Sequence, residues 1–289
     1  MQATPQTPRL PTLYISHGSP MTALEGGAAG QYWRALGPAY IAAFGKPKAI
    51  LVASAHSLTR EPVLLAAERH EAIYDFGGFP EALYQLRYDA PGAPALAQRV
   101  ADLLAAAGLP GHVVNEGGMD HGIWTPLRSM VPEADIPVLP LAWPHTWSPA
   151  KLFELGQALA PLASEGVLII GSGAMTHNLR LFAGGRGPVD APEHPESAAF
   201  RHWFLDHAVA HDWPALFNYR AQAPHAAHMH PTDEHLLPFF VAAGAAGTED
   251  APATRVHASV TWGHLAMDVY AFGAGGQTLA DASVAATAG

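Results

Sequence analysis

Four short apolar runs bounded by turn residues organise the first two-thirds of the chain, at 13–16 (LYIS), 49–54 (AILVAS), 137–141 (PVLPL) and 167–170 (VLII). Runs of this length that are apolar throughout predict strands covered on both faces. Helix-length segments lie between them, at about 31–44, 94–107 and 149–162, with a further one near 198–210. Strands alternating with helices imply βαβ connections, and hence an α/β fold with a central, largely parallel sheet. The pattern changes towards the C-terminus. Residues 232–243 predict a helix with Thr232 as its N-cap, and "TRVHASVTW" and "AMDVYAFG" alternate like two arms of an antiparallel addition. No repeat or long linker interrupts this order, so the expectation is one three-layer α/β/α domain over residues 1–289, with a mixed sheet and a flexible extension at 1–10. The aromatic, turn-rich stretch "YDFGGFPEALYQLRYDAPG" (74–92) predicts a lid or binding wall; its alternative is a surface excursion packed by its own rings.

Composition narrows the chemistry. The 289 residues are 49% hydrophobic and 14% charged, with a formal net charge of −10. That balance argues against a general nucleic-acid or anionic-membrane binder. The N-terminus lacks the charged-then-apolar pattern of a signal peptide, so the expected location is cytoplasmic. There is no cysteine, which excludes disulfide scaffolds and Cys-based zinc sites. Any metal must therefore sit on nitrogen and oxygen ligands, a set that suits Fe(II), Mn(II) or Zn(II). Histidine supplies the contrast, with 17 residues against 15 Lys and Arg together.

Position sorts these histidines. "LYISH" ends a strand at His17, "ILVASAH" ends another at His56, and "VLIIGSGAMTH" runs off a third to His177. Parallel strands present ligand sites beyond their carboxyl ends, so these imidazoles are expected at one edge of the sheet. A single strand-end histidine is usually structural; three in equivalent places point to a shared job. Small neighbours (Gly18, Ser54 and Gly173) allow close backbone approach and leave room for an exogenous molecule. In "HPTDEHLLPFF", Glu234 and His235 offer two ligand types side by side, or else act as first-turn residues of the expected helix. Asp120 and His121 in "GMDHGIWTPL" read as a supporting or substrate-facing pair. The "GSG" at 171–173 lacks a dinucleotide or P-loop spacing, and the chain has no G-x-S-x-G elbow to support a serine hydrolase. The histidines between 194 and 230 are too irregularly spaced for a metal-storage tract.

The stretches "ISHGSPM", "SAHS", "YDFGGFP" with "LRYDAPG", "DHGIWTPL", "IIGSGAMTHNL" and "PTDEHLLP", spanning about 11–244, together resemble the class III (LigB-like) extradiol ring-cleavage dioxygenases, in the branch of the 4,5-DOPA dioxygenases. The resemblance implies Fe(II) for activity, with Zn(II) able to occupy the same ligands, and a catechol and O2 as substrates. It makes His17, His56 and His235 metal ligands, with Glu234 a rival for the last position. It gives His177 an acid/base role, with coordination in metal-substituted forms, and it sets His121 near substrate and oxygen. Tyr74, Phe76, Phe79, Tyr88, Ser57 and Asp120 are then the expected substrate contacts, and Arg87, Arg180 or Arg186 the partner of a substrate carboxylate. Ser57 stands where the family commonly carries an aromatic residue. Rival readings on the same residues are a zinc-dependent hydrolase and a catalytically silent metal or catechol binder. The assembly expected is a monomer or a homodimer.

Overall fold

The computed structural model describes residues 9–183, 185 and 187–287. Twelve strands lie among the described residues: β1 (Thr12–Ser16), β2 (Ala49–Thr59), β3 (Val63–Leu65), β4 (Arg69–His70), β5 (Ala90–Pro91), β6 (His112–Val114), β7 (Val138–Pro144), β8 (Val167–Gly173), β9 (Ala253–His257), β10 (Val260–Thr261), β11 (Leu265–Ala266) and β12 (Val269–Phe272). Eight of them form one sheet in the order β6-β3-β7-β2-β8-β1-β12-β9. The central four, β7-β2-β8-β1, are parallel, whereas β12 and β9 add antiparallel at one edge and β3 pairs antiparallel with β7 at the other. This is the mixed three-layer α/β/α arrangement expected from the sequence, including its antiparallel C-terminal arms.

The two-residue period of a strand sorts each apolar run onto two faces. Tyr14, Leu51, Ala53, Ile169 and Tyr270 face one layer, with the helices Pro94–Ala106, Pro149–Leu159, Pro195–Val209 and Pro238–Gly244. Leu13, Ile15, Ile50, Val52, Leu168 and Ile170 face the other, with the helices Gly27–Phe44 and His121–Met130. These strands are buried on both sides, which is why they read as continuous apolar runs.

Several boundaries differ from the sequence expectation for physical reasons. The helix foreseen over 149–162 stops at Leu159 and a short one begins at Pro161, whose ring interrupts the hydrogen-bond ladder. The helix foreseen over 232–243 is only Pro238–Gly244. Pro238 has no N–H to donate back to residue 234, so residues 234–237 form a turn in which the Asp233 carbonyl accepts from Leu236 and Leu237. Thr232 is therefore not a helix N-cap. The 74–92 loop contains the short helix Glu81–Tyr84 and the strand β5. The helix His121–Met130 was hidden by Gly122 and by Pro126 within it. Of the extension expected over 1–10, residues 1–8 lie outside the described residues; Arg9 donates to the Ala245 carbonyl at 2.8 Å and Leu10 is buried, so these two are anchored rather than flexible.

Helix Pro238–Gly244 packs against β8 and against helix Pro149–Leu159 with backbone nearly touching backbone. A Cβ on Gly156 would run into the Val241 carbonyl oxygen and approach Ala245 N to 2.8 Å. Gly156→Ala thus sets about 1 kcal/mol of helix propensity gain against an overpacking cost of about 1–3 kcal/mol or more. With backbone as the obstacle, the overlap wins. The expected outcome is a net loss of about 2 kcal/mol, read as a lower urea midpoint at unchanged slope; a higher midpoint would contradict this close packing.

Candidate metal centre and substrate cavity

The carboxyl ends of β1, β2 and β8 lie side by side, and the chain places an imidazole at or beyond each. His17 follows β1 directly; its N–H donates to the Gly173 carbonyl at 2.8 Å, and Gly18 turns the chain away with φ +69°. His56 does not follow the end of its strand as the sequence suggested. β2 runs on to Thr59, and His56 sits where its ladder with β7 slips, between Ala53 and Leu58. His177 lies beyond β8 and is fixed by its N–H to the Met229 carbonyl at 3.0 Å. His235 comes from the turn before helix Pro238–Gly244. Because no helix engages its carbonyl, that oxygen accepts from Ala174 N at 2.8 Å and from the Tyr14 hydroxyl at 3.0 Å. A Cβ on Gly173 would occupy the place of that same oxygen, so glycine is required there.

Five imidazoles meet in this way. The His17 ring centroid is 5.0 Å from His56, 5.3 Å from His121 and 5.4 Å from His235. His56 is 4.1 Å from His121 and 4.9 Å from His235, and His177 stacks on His235 at 3.5 Å. Ligand atoms of His17, His56 and His121 lie within 4.8 Å of one another, as do those of His177, Glu234 and His235.

Hydrogen bonds fix which nitrogens face inward. The Ser172 hydroxyl donates to the Gly122 carbonyl at 2.5 Å, so it accepts from His17 Nδ1–H at 3.0 Å and leaves the His17 Nε2 lone pair free. His121 Nδ1–H donates to Asp75, 3.0 and 3.1 Å from the two carboxylate oxygens, and its backbone N–H donates to the same residue at 2.9 Å. His235 Nδ1–H donates to Glu234 at 2.9 Å. His56 Nδ1 lies 3.6 Å from Asp75, with its Nε2 only 3.1 Å from Nε2 of His17. Two such nitrogens at this distance require a proton or a cation between them. Outward N–H groups held by carboxylates and a hydroxyl, with inward lone pairs, are the support that metal-binding imidazoles need.

The electrostatics agree. Burial, reinforced by the neighbouring imidazoles, pushes His17 well below the ordinary histidine value, and brings His56 to about 3 and His177 to about 2. Burial also lowers His235 against the pull of Glu234. Burial would raise Glu234, but the hydrogen bond and attraction of His235 outweigh it and hold the carboxyl at about 2. Burial likewise opposes the ionisation of Asp75, and contact with His121 reverses the balance and lowers it. At neutral pH, His17, His56, His177 and His235 are thus uncharged imidazoles, with Glu234 and Asp75 ionised beside the cluster.

A cavity of about 530 Å³ opens onto the cluster, walled by His56, His121, His177, Glu234 and His235 at its inner end. Of the substrate contacts expected from the sequence, Phe76 and Phe79 line it. Tyr74, Tyr88, Ser57 and Asp120 stand behind the wall instead. Tyr74 donates from its hydroxyl to the Leu86 carbonyl at 2.5 Å and packs on Trp124, and Tyr88 is buried. Asp120 accepts from Ser54 at 2.7 Å and from Ser57 at 2.6 Å, the residues flanking Ala55–His56; burial raises its pKa against these two hydrogen bonds. Both serines are thereby used to hold the β2 irregularity. Sequence reasoning passed over Asp75, the brace of His121, although it sits inside the quoted "YDFGGFP"; an acid flanked by aromatics was the available signal. It also passed over Leu179, Phe182, Trp262 and Leu265, which complete the outer wall.

Comparison with known proteins agrees with this construction. Residues 11–273 match the family model described as the catalytic LigB subunit of aromatic ring-opening dioxygenase. A Beta vulgaris protein named 4,5-DOPA dioxygenase extradiol is 41% identical over 267 residues, 90% of this chain and 96% of the relative. An Escherichia coli (strain K12) protein of the same name is 36% identical over 265 residues, 90% of this chain and 93% of the relative. The crystal structure of the uncharacterized protein JW3007 from Escherichia coli K12 superposes with a TM-score of 0.73 at 32% identity, covering 92% of this chain and all of that one. A parallel sheet that delivers uncharged imidazoles to one edge, and this similarity over nearly the whole sequence, lead to one conclusion: the chain belongs to the LigB family of class III extradiol ring-opening dioxygenases.

Proposed function

We propose that this dioxygenase binds Fe(II) on its histidine cluster and opens the ring of a catechol with O2. The observation that carries the reading is the convergence of buried imidazole nitrogens at the inner end of an aromatic-lined cavity. Nitrogen donors without thiolates suit Fe(II) and also accept Zn(II). His17, His56 and His235 are the proposed ligands, with Glu234 orienting His235 rather than replacing it. His121 lies closest to His56 and is their rival for the third position. DOPA, which appears in the names of the relatives, is one catechol of the class proposed. The family supports oxygenase chemistry over the zinc-hydrolase alternative.

When bound, the ion supplies a Lewis acid and a redox centre shared by catechol and O2. The protein's own part is to hold the ring, accept its protons and exclude water. Phe76 and Phe79 wall the ring on the side of His121. His177, stacked on His235 and kept neutral by burial, offers a lone pair at the cavity for a catechol hydroxyl proton and returns that proton as the ring opens. His121, with Nδ1–H committed to Asp75, directs Nε2 towards the site. Once protonated there it is a donor for negative charge developing on oxygen.

The roles separate experimentally. His177→Ala is expected to keep its iron and lose about 100- to 10,000-fold in turnover, measured as oxygen uptake with a catechol. His17→Ala, His56→Ala and His235→Ala are expected to lose the metal, read by elemental analysis. Normal turnover by His177→Ala would remove the acid/base role, and loss of iron from His121→Ala but not His235→Ala would exchange those two assignments.

The neutral imidazoles also set a pH dependence. A histidine whose folded value lies below its unfolded value of about 6.5 takes up its proton first in the unfolded chain. Stability is then full above that value and is lost as pH falls towards the folded values, about 3 for His56 and about 2 for His177. Each such group contributes a slope of up to about 1.4 kcal/mol per pH unit. The metal-free protein is expected to show a urea midpoint that drops steeply from pH 6.5 to 5 and is flat from 7 to 8; a flat profile throughout would show that these imidazoles are not held neutral.

A further inference from the structure

The outer half of the cavity differs in chemistry from its inner half. Two aromatic pairs flank it, Phe76 with Phe79 (5.4 Å, 82°) and Phe182 with Trp262 (5.3 Å, 81°), and Leu179 and Leu265 complete the wall. Leu179 lines the cavity and is nevertheless 64% exposed, which places it at the rim as an apolar contact surface open to an incoming molecule. It belongs to the turn Leu179–Phe182, capped by the Asn178 side chain accepting from Arg180 N–H at 3.0 Å, two residues after His177. The charged residue in the lining is an acid, Glu234, and Asp75 stands behind His121. Among the described residues no lysine or arginine lines the cavity. Of the arginines suggested by the sequence, Arg87 donates to the Tyr74 hydroxyl at 3.0 Å, Arg180 is exposed, and Arg186 lies outside the described residues.

We propose that this outer wall selects catechols carrying an uncharged apolar substituent, such as a branched alkyl or aryl group, over those carrying a carboxylate, with Leu179 and Phe182 as the residues that grip the substituent. The proposal rests on the catechol reading of the same site and specifies it. An apolar group leaving water for this wall gains transfer free energy in proportion to the area it buries. A carboxylate entering it loses hydration and, among the described residues, meets no lysine or arginine in the lining to replace it. A cavity of about 530 Å³ also falls in the range that encloses a ligand larger than a bare ring.

The test is binding first and turnover second, on the Fe(II)-loaded protein. Under anaerobic conditions, calorimetry compares 4-tert-butylcatechol with 3,4-dihydroxyphenylacetate and 3,4-dihydroxyphenylpropionate. The alkyl catechol is expected to bind at least about tenfold tighter, the discrimination an apolar pocket exerts on a small group. Leu179→Lys is expected to erase most of that ratio by weakening the alkyl ligand and strengthening the carboxylates, and Phe182→Ala to weaken the alkyl ligand alone. Equal or tighter binding of the carboxylated catechols by the unaltered protein overturns the proposal. So does an alkyl preference that both variants leave intact, since it would then reside elsewhere. Oxygen is admitted afterwards. Binding preferences as expected with no oxygen uptake from any of the three probes would uphold the wall assignment and count against ring cleavage, so the two readings fail separately.

Discussion

Packing several imidazoles together in a protein interior is tolerable only while they stay uncharged, and keeping them uncharged leaves lone pairs that must point somewhere. That constraint organises this molecule. The outward nitrogens of His17, His121 and His235 are given acceptors (Ser172, Asp75 and Glu234), so their other nitrogens are left for the interior of the cluster, where Nε2 of His17 lies 3.1 Å from Nε2 of His56. A cation satisfies all of them at once. The arrangement is therefore a demand for a metal written into hydrogen bonds, and the acidic residues that appear around the site act as braces for imidazoles.

The fold meets that demand with backbone rather than with side chains. Adjacent parallel strands bring the first histidines together, but His235 arrives on a carbonyl seated against Gly173 and held by Tyr14 and Ala174. Pro238 makes this available by denying the preceding turn a helical continuation. The same helix then lies against Gly171 and Gly156 with no intervening side chains. Core packing and site geometry are thus one problem here, because the turn that leads into the core-closing helix carries a histidine of the cluster.

How much of this the sequence revealed depends on the kind of signal. The parallel core was legible because strands buried on both faces are apolar at every position, as in VLII. His17, His56 and His177 were legible because each broke or followed such a run, whereas His121 and His235 were singled out by the acids beside them. The 121–130 helix was not, since Gly122 and Pro126 mask its period, and residues 232–237 misled because Thr-Asp-Glu is an ordinary helix start that only Pro238 overrules. Phe76 and Phe79 were found as aromatics in a long loop, whereas Tyr74 and Tyr88 in the same loop turn away from the cavity. No local pattern separates rings that face a ligand from rings that prop a loop. Asp75 escaped for a related reason: its importance lies in His121, which is 46 positions away.

Both walls of the cavity are built next to the histidine cluster and its braces. Phe76 follows Asp75 directly, and Leu179 stands two positions after His177. Selectivity and site geometry are therefore mechanically linked, since a change in wall volume that moves either loop also moves a clustered histidine or the carboxylate that braces one. For anyone adapting this scaffold, substrate range and speed are not independent settings. Altered specificity is most safely sought at Trp262 and Leu265, which come from a third stretch of chain that carries none of the clustered histidines.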